Sequence, residues 1–318
     1  MFSLDFICSF LASVIRVTTP LFFVSMATLV TRKAGLLNMA TESMMLAAAL
    51  TGVLVSGWTQ SLLLGVLAGI AASAAVALII CYCAFKLKTD LYLTCIAINT
   101  ALSGGTTFAM YVFAHDKLYT LQVIHSKAFG NWNIPIIQNI PYLSTILSGH
   151  NVLTYISVLG VIFMWFLIYK TRLGLRIRGV GENPRAAESS GVDPVKIYFI
   201  SFLICSVYAA LGGMYMSMGY LSYFMRDMMS GRGFIGMSAM NVANAKPFLS
   251  MLTSLMFGFS QALANLMQLS NIPSEAVSML PYISTVIILV VSSSIRMIIS
   301  LRKERAESKD YYDQPADQ

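Results

Sequence analysis

Charge is scarce in this chain of 318 residues: 21 basic and 14 acidic side chains make up only 11% of it, against roughly a quarter in a soluble domain. Over half of those charges crowd into two short stretches, Lys170–Lys196 and Arg302–Gln318. A water-soluble globule of this length needs charge all round its surface, so that class is excluded. Cysteine is equally uninformative as chemistry. Cys8, Cys81, Cys83, Cys95 and Cys205 all lie in apolar stretches without a CxxC pair, which reads as packing rather than disulfides or metal ligation. The three histidines, His115, His125 and His150, share one segment without the second ligand pattern that a metal site needs. There is no Gly-Lys dipeptide anywhere, hence no GxxxxGK[ST] loop to cradle nucleotide phosphates. The opening MFSLDFICSF carries Asp5 and no basic residue before Arg16, so it lacks the n-region of a cleaved signal and the first span is expected to be kept.

What is abundant is apolar sequence, 57% of the chain. A helix needs about 20 apolar residues to cross the hydrocarbon core. The candidates are 8–31, 36–56, 61–85, 91–114, 151–169, 197–221, 248–269 and 281–300. The stretch 233–246 is also apolar but short, which suggests a half-helix or re-entrant piece. The expected fold is therefore an all-α, polytopic transmembrane helical bundle of about eight to ten spans, one of them broken. Arg16 and Pro20 are expected to interrupt the first span, leaving residues 1–15 in the interface. Basic residues at Arg32/Lys33, Lys86/Lys88, 170–196, Lys246 and 302–309 mark the cytoplasmic side and place the C-terminus there. They also account for the net charge of +7 without nucleic acid. Residues 1–301 read as one membrane domain, 115–150 as a structured outer loop with Trp132 and Tyr142 at the interface, and 302–318 as a disordered charged tail. Gly65, Gly69 and Ser73, and Ala209 with Gly213, have the spacing that lets helices approach closely in lipid.

The segment 170–196 reads as an inter-helix loop with a short helix inside it. Asn183 can cap a helix that starts at Pro184, and Gly191 can end it in the left-handed conformation. Asp193–Pro194 repeats the device at the start of the next span. A rigid helix of this kind suits a cytoplasmic partner; the plainer reading is an ordinary basic loop.

Polar residues inside spans are candidate sites because they are costly there. Asn38 and Glu42 stand four apart, on one helix face with Met45; Glu42 reads either as part of a cargo path or as a partner of Arg32/Lys33 near the interface. Asn99, Ser103 and Thr106 form a second polar stripe, open to the path or to interhelical hydrogen bonding. Asn241 and Asn244 lie on the short element, where broken helices line substrate paths. Arg226, Asp227 and Arg232 flank its outer end as a gate, a docking point for a binding protein, or simply an ion pair.

Three stretches in register carry a resemblance: GVGENPRAAESSGV at Gly179–Val192, AGLLNMATESMM at Ala34–Met45 and GRGFIGMSAMNVANAKP at Gly231–Pro247. They are similar to segments of ABC-importer permeases of the branched-chain amino acid and simple-sugar superfamily, nucleoside-type branch. Ser43, Ala243 and Ala245 depart from that pattern, where glycine, glycine and tryptophan are usual. The resemblance implies that Gly181, Glu182, Asn183, Pro184, Arg185, Ala186, Ala187, Glu188 and Gly191 couple to a cytoplasmic ATPase subunit, which binds ATP and Mg²⁺, while this chain holds no cofactor. It further implies a second permease subunit, related or identical, an extracytoplasmic solute-binding lipoprotein, and a prokaryotic cytoplasmic (inner) membrane. The expected cargo is neutral and hydroxylated, a nucleoside first and a ribose-type sugar second. An ion-coupled carrier would show acidic pairs deep in several spans, and Glu42 alone is a candidate.

Overall fold

Apolar runs fold into helices here because no water is present in a bilayer to satisfy an exposed backbone. The structure, a computed structural model, describes residues 4–120, 126–133 and 141–268, with scattered helical positions between 283 and 297. The expected tail 302–318, most of the expected span 281–300 and His125 lie outside the described residues. The helices are α1 (Leu4–Lys33), α2 (Thr41–Thr59), α3 (Leu62–Cys81), α4 (Leu91–Ala114), α5 (Pro141–Leu147), α6 (Val152–Lys170), α7 (Arg172–Glu182), α8 (Pro184–Ser189), α9 (Pro194–Met214), α10 (Arg232–Val242) and α11 (Pro247–Met267). Single π-helical turns extend α3 to Lys86 and α9 to Tyr220. Two residue pairs form the only named strands among the described residues, β1 (Asn131–Trp132) antiparallel to β2 (His150–Asn151).

Among the described residues five helices are long and apolar enough to cross a membrane: α1, α3 with its π turn, α6, α9 with its π turn, and α11. The chain is thus a multi-pass helical bundle. Helices α2 and α4 have the length for it, at 19 and 24 residues, but carry more polar side chains. All of Thr18–Thr31 is buried, so α1 is the central post, covered all round. Pro20 does not interrupt it. Proline has no N–H to give the carbonyl of Arg16 four residues back, and the Tyr215 hydroxyl donates to that carbonyl instead, at 3.0 Å.

The small residues pack as their spacing predicts. A methyl group at Gly69 would come within 2.6 Å of Met214 Sδ, and one at Gly213 would strike the Met45 carbonyl. Ser73 Oγ donates to the Ser206 carbonyl at 2.9 Å, tying α3 to α9. With little hydrophobic force between helices in lipid, such close contacts and interhelical bonds hold the bundle together.

Alternation of the helices brings Lys33, Lys86, Lys170 and Lys246 to one end, hereafter the basic end. The opposite end is closed by the β1–β2 pair and by Asn151, whose Nδ2 donates to the carbonyls of Phe129 and Gly219 at 3.0 and 3.3 Å. His150 lies buried beside it, with Nε2 2.7 Å from the Ile146 carbonyl. Burial holds its imidazole below the ordinary histidine value, and the nearby Arg16 charge pushes the same way.

The segment 170–196 is a correction. It is not one loop with one short helix but two helices, α7 and α8. Thr171 Oγ1 accepts from the Gly174 N–H at 3.1 Å to start α7, and Ile177 and Val180 turn inward while Arg172 and Arg176 face out. The charge density hides this amphipathic spacing in the sequence.

Candidate functional site

Helix α10 has 11 residues, about 16 Å of rise. Its last turn lies at the basic end, because Lys246 is an electrostatic neighbour of Lys33. Its first turn therefore sits near half-depth, where an unpaired helix N-terminus is expensive. The residue before it, Gly231, has φ +78, a left-handed conformation that glycine adopts without strain. Its N–H donates to Glu42 Oε1 at 2.7 Å. Glu42 thus caps α10 from another helix, placing a carboxylate against the positive end of the helix dipole. The two elements touch closely: a methyl at Gly233 would come within 2.6 Å of Glu42 Cβ.

Two expectations about Glu42 change. Residues 34–40 are non-helical, so Asn38 precedes α2 and does not share a helix face with Glu42. Glu42 also answers to Asp227 and Arg232 rather than to Arg32 or Lys33. Asn38 is 1% exposed and holds the connector. Its Oδ1 accepts from the Ala40 N–H at 2.9 Å and its Nδ2 donates to Cys205 Sγ at 3.3 Å. Asn99 is spent in the same way, accepting from the Ser43 N–H at 3.3 Å and donating to the Met39 carbonyl at 2.9 Å. Both amides set the angle at which α2 begins.

Around this junction lies a cavity of about 530 Å³, with Glu42, Asn99, Ser103, Asp227 and Phe234 among its lining residues. Glu42 Oε2 is buried there without a hydrogen-bond partner. The cavity therefore offers carboxylate and hydroxyl acceptors beside an aromatic face. Thr106 is buried outside that lining, its hydroxyl bonded back to the Leu102 carbonyl at 2.7 Å.

The remaining candidates are dispersed. Helix α10 stops at Val242, so Asn244 is outside it, in a left-handed turn with φ 54. Neither Asn241 nor Asn244 lines the cavity. Asp227 and Arg232 are both electrostatic neighbours of Glu42. The Arg226 N–H donates to the Leu118 carbonyl at 3.1 Å, in the loop that closes the outer end. Asp227 faces the cavity, and Arg232 Nη1 bonds the carbonyls of Met228 and Met229 at 3.1 and 3.2 Å. Sequence reasoning passed over Gly231, Gly233 and Phe234 as site residues; the glycines on either side of Arg232 were the available signal.

At the basic end, Asn183 Oδ1 accepts from the N–H groups of Arg185 and Ala186 at 3.1 and 3.2 Å, with Pro184 in the first position of α8. Gly191 has φ +80 and ends the turn. Asp193 Oδ1 accepts from the Val195 N–H at 2.9 Å and starts α9. Arg185, Ala186 and Glu188 are exposed, whereas Gly181 is half-buried. A methyl at Gly181 would strike the Lys33 carbonyl, so the end of α7 rests directly on the end of α1.

Comparison with known proteins covers the stretch of chain that holds both regions. Residues 10–291 match the family described as "Branched-chain amino acid transport system / permease component". The chain is 27% identical over 289 residues to the nucleoside ABC transporter permease protein NupC of Lactococcus lactis subsp. cremoris, covering 87% of this chain and 90% of that one. It is 30% identical over 281 residues to the guanosine ABC transporter permease protein NupQ of Bacillus subtilis, covering 85% and 87%. Among solved structures it superposes on a chain of PsaBC from Streptococcus pneumoniae with a TM-score of 0.53 at 14% identity, covering 89% and 90%. That likeness is one of fold.

Proposed function

This chain belongs to the permease-component family of branched-chain amino acid transport systems, and we propose that it forms half of the membrane path of an ATP-driven importer for a neutral nucleoside. The observation that carries the proposal is the half-depth cavity at the Glu42–α10 junction. One oxygen of Glu42 is committed to the helix cap, while its second oxygen, Asp227 and Ser103 remain to accept from hydroxyl and N–H donors. Phe234 gives a base a surface on which to stack. The relatives named above move nucleosides and guanosine, which agrees with a solute that is flat, uncharged and rich in donors.

The work of this chain is transport, not catalysis; ATP and Mg²⁺ belong to a separate ATPase subunit. Helix α8, with Glu182–Glu188 and Gly191, docks into that subunit, and the Gly181–Lys33 contact carries its motion into α1. Gly104 and Gly105 on α4 have open space where a side chain would stand, which suits a second permease chain across the path. A solute-binding lipoprotein delivers cargo at the outer end. The basic end faces the cytoplasm of a prokaryotic cell, a reading that the distribution of lysine and arginine supports for the orientation.

The test is uptake by the reconstituted complex of both permeases, the ATPase and the binding protein. Radiolabelled guanosine or uridine should accumulate with ATP inside the vesicles, unchanged by a proton or sodium ionophore. Uptake that collapses with the ionophore at constant ATP would overturn the reading.

A further inference from the structure

A second cavity, of about 570 Å³, opens between α6 and α11 at the basic end. Trp165 and Tyr169 on α6 and Phe248 and Leu252 on α11 line it, and Lys246 stands at its rim. The Trp165 and Phe248 rings are 6.0 Å apart. Two more cations overhang the aromatic wall: Lys170 Nζ lies 5.8 Å from the Trp165 ring centre, and the Arg178 guanidinium lies 5.3 Å from that of Tyr169. The Nε of Arg178 is buried without a hydrogen-bond partner. Lys33 also stands among these charges, with Arg178 and Lys246 as neighbours and Glu182 as the one acid. Among the described residues the ion pair is Lys196–Asp193, so none of these cations is matched by a carboxylate at bonding distance.

Cations that have a single acidic neighbour among the described residues, at the edge of an apolar slot, suit an anion that is also greasy. We infer that this groove is a binding site for an anionic phospholipid of the leaflet at the basic end. The phosphate is held between Lys246 and Arg178, and an acyl chain lies along Leu249 and Leu252. Phe248, Leu249 and Leu252 of the groove lining are exposed, and a soluble anion would leave them uncovered where a lipid tail would cover them. Aromatic side chains at this level match the headgroup region, and basic pockets between spans suit acidic headgroups. The site is separate from the cargo cavity and does not depend on which solute is carried.

The test uses the delipidated full-length protein with its transporter partners, titrated with phosphatidylglycerol and with phosphatidylcholine bearing the same chains, and read by native mass spectrometry. Phosphatidylglycerol should bind in preference. At about fivefold per charge near an anionic headgroup, the K246Q/R178Q double variant should weaken it about 25-fold, whereas K246R should keep it. Leu252→Trp fills the floor, leaves every charge in place and should also abolish the preference. If the double variant does not fold, L252W and K246R decide the matter. Equal binding of the two lipids, parent-like binding in L252W, or full competition by inorganic phosphate at equal concentration would each overturn the site.

Discussion

Two of the breaks in the helical order, the elbow at the basic end and the start of α10, are held in opposite ways. At the basic end the chain turns from α7 to α8 to α9, and every orphan donor there is met by a side chain two or three residues away, Asn183 for α8 and Asp193 for α9. At half-depth the start of α10 is met by Glu42, 189 positions away in the chain. The elbow faces water, where a lost cap is replaced by solvent. The junction has little solvent to fall back on, so a lost partner leaves bare N–H groups. A break that is locally capped can move as a unit against a neighbouring protein. One capped from a distant helix locks two elements together and sets the shape of the cavity between them.

Removing the distant cap should have the largest effect. Loss of a hydrogen bond to a charged group costs about 1.5–3 kcal/mol, so Glu42→Ala is expected to reduce nucleoside uptake about 10- to 150-fold. Glu42→Gln, which keeps an accepting oxygen, should fall between the variant and the parent. Uptake by Glu42→Ala equal to the parent would erase the distinction between the two breaks.

The contact that joins the elbow to the rest of the bundle comes next. Gly181→Ala forces a methyl into the Lys33 carbonyl, an overpacking of about 1–3 kcal/mol, and should lower the melting temperature and the cargo-stimulated ATPase rate together. Gly179→Ala, with nothing within 4 Å of the added methyl, is the control and should change neither. Removing the local cap is milder: Asn183→Ala should cost about 1 kcal/mol, seen as faster amide exchange in residues 184–189 with the remaining helices unaffected. Protection that stays at the parent level would mean that α8 is held by its neighbours rather than by its cap.

The smallest effect belongs to the outer end, which neither break touches. His150 titrates below its unfolded value because burial disfavours the imidazolium. The unfolded chain therefore takes up the proton first as pH falls. The stabilising contribution is complete above the ordinary histidine range and declines as pH drops through it toward the folded value. Thermal melts between pH 7.5 and 5.5 should show this loss in the parent and not in His150→Gln. An identical slope in both would locate the titrating group elsewhere.

How much of this was legible followed the range of the interactions. The short helix at 184–189 could be placed because Asn183, Pro184 and Gly191 act within a few residues of one another. The expected spans 8–31, 61–85, 151–169, 197–221 and 248–269 fall on helices long and apolar enough to cross a membrane, because twenty apolar residues have few other uses. Helix α7 was obscured because its inward Ile177 and Val180 sit among arginines, and the continuity of α1 through Pro20 needed a hydroxyl from Tyr215, far along the chain. Glu42 was found as a candidate, but its neighbours were not, since no spacing joins residue 42 to residue 231. Asn241 and Asn244 looked paired while the helix was read as reaching 246; it stops at Val242. The sequence by itself determined where the long apolar helices lie, which end is basic and where α8 starts and stops, because apolar length, charge and caps act locally. Only the tertiary structure decided which polar groups are already spent on the backbone and which remain free in the cavity, because in a medium without water a donor must take whichever acceptor the packing brings to it.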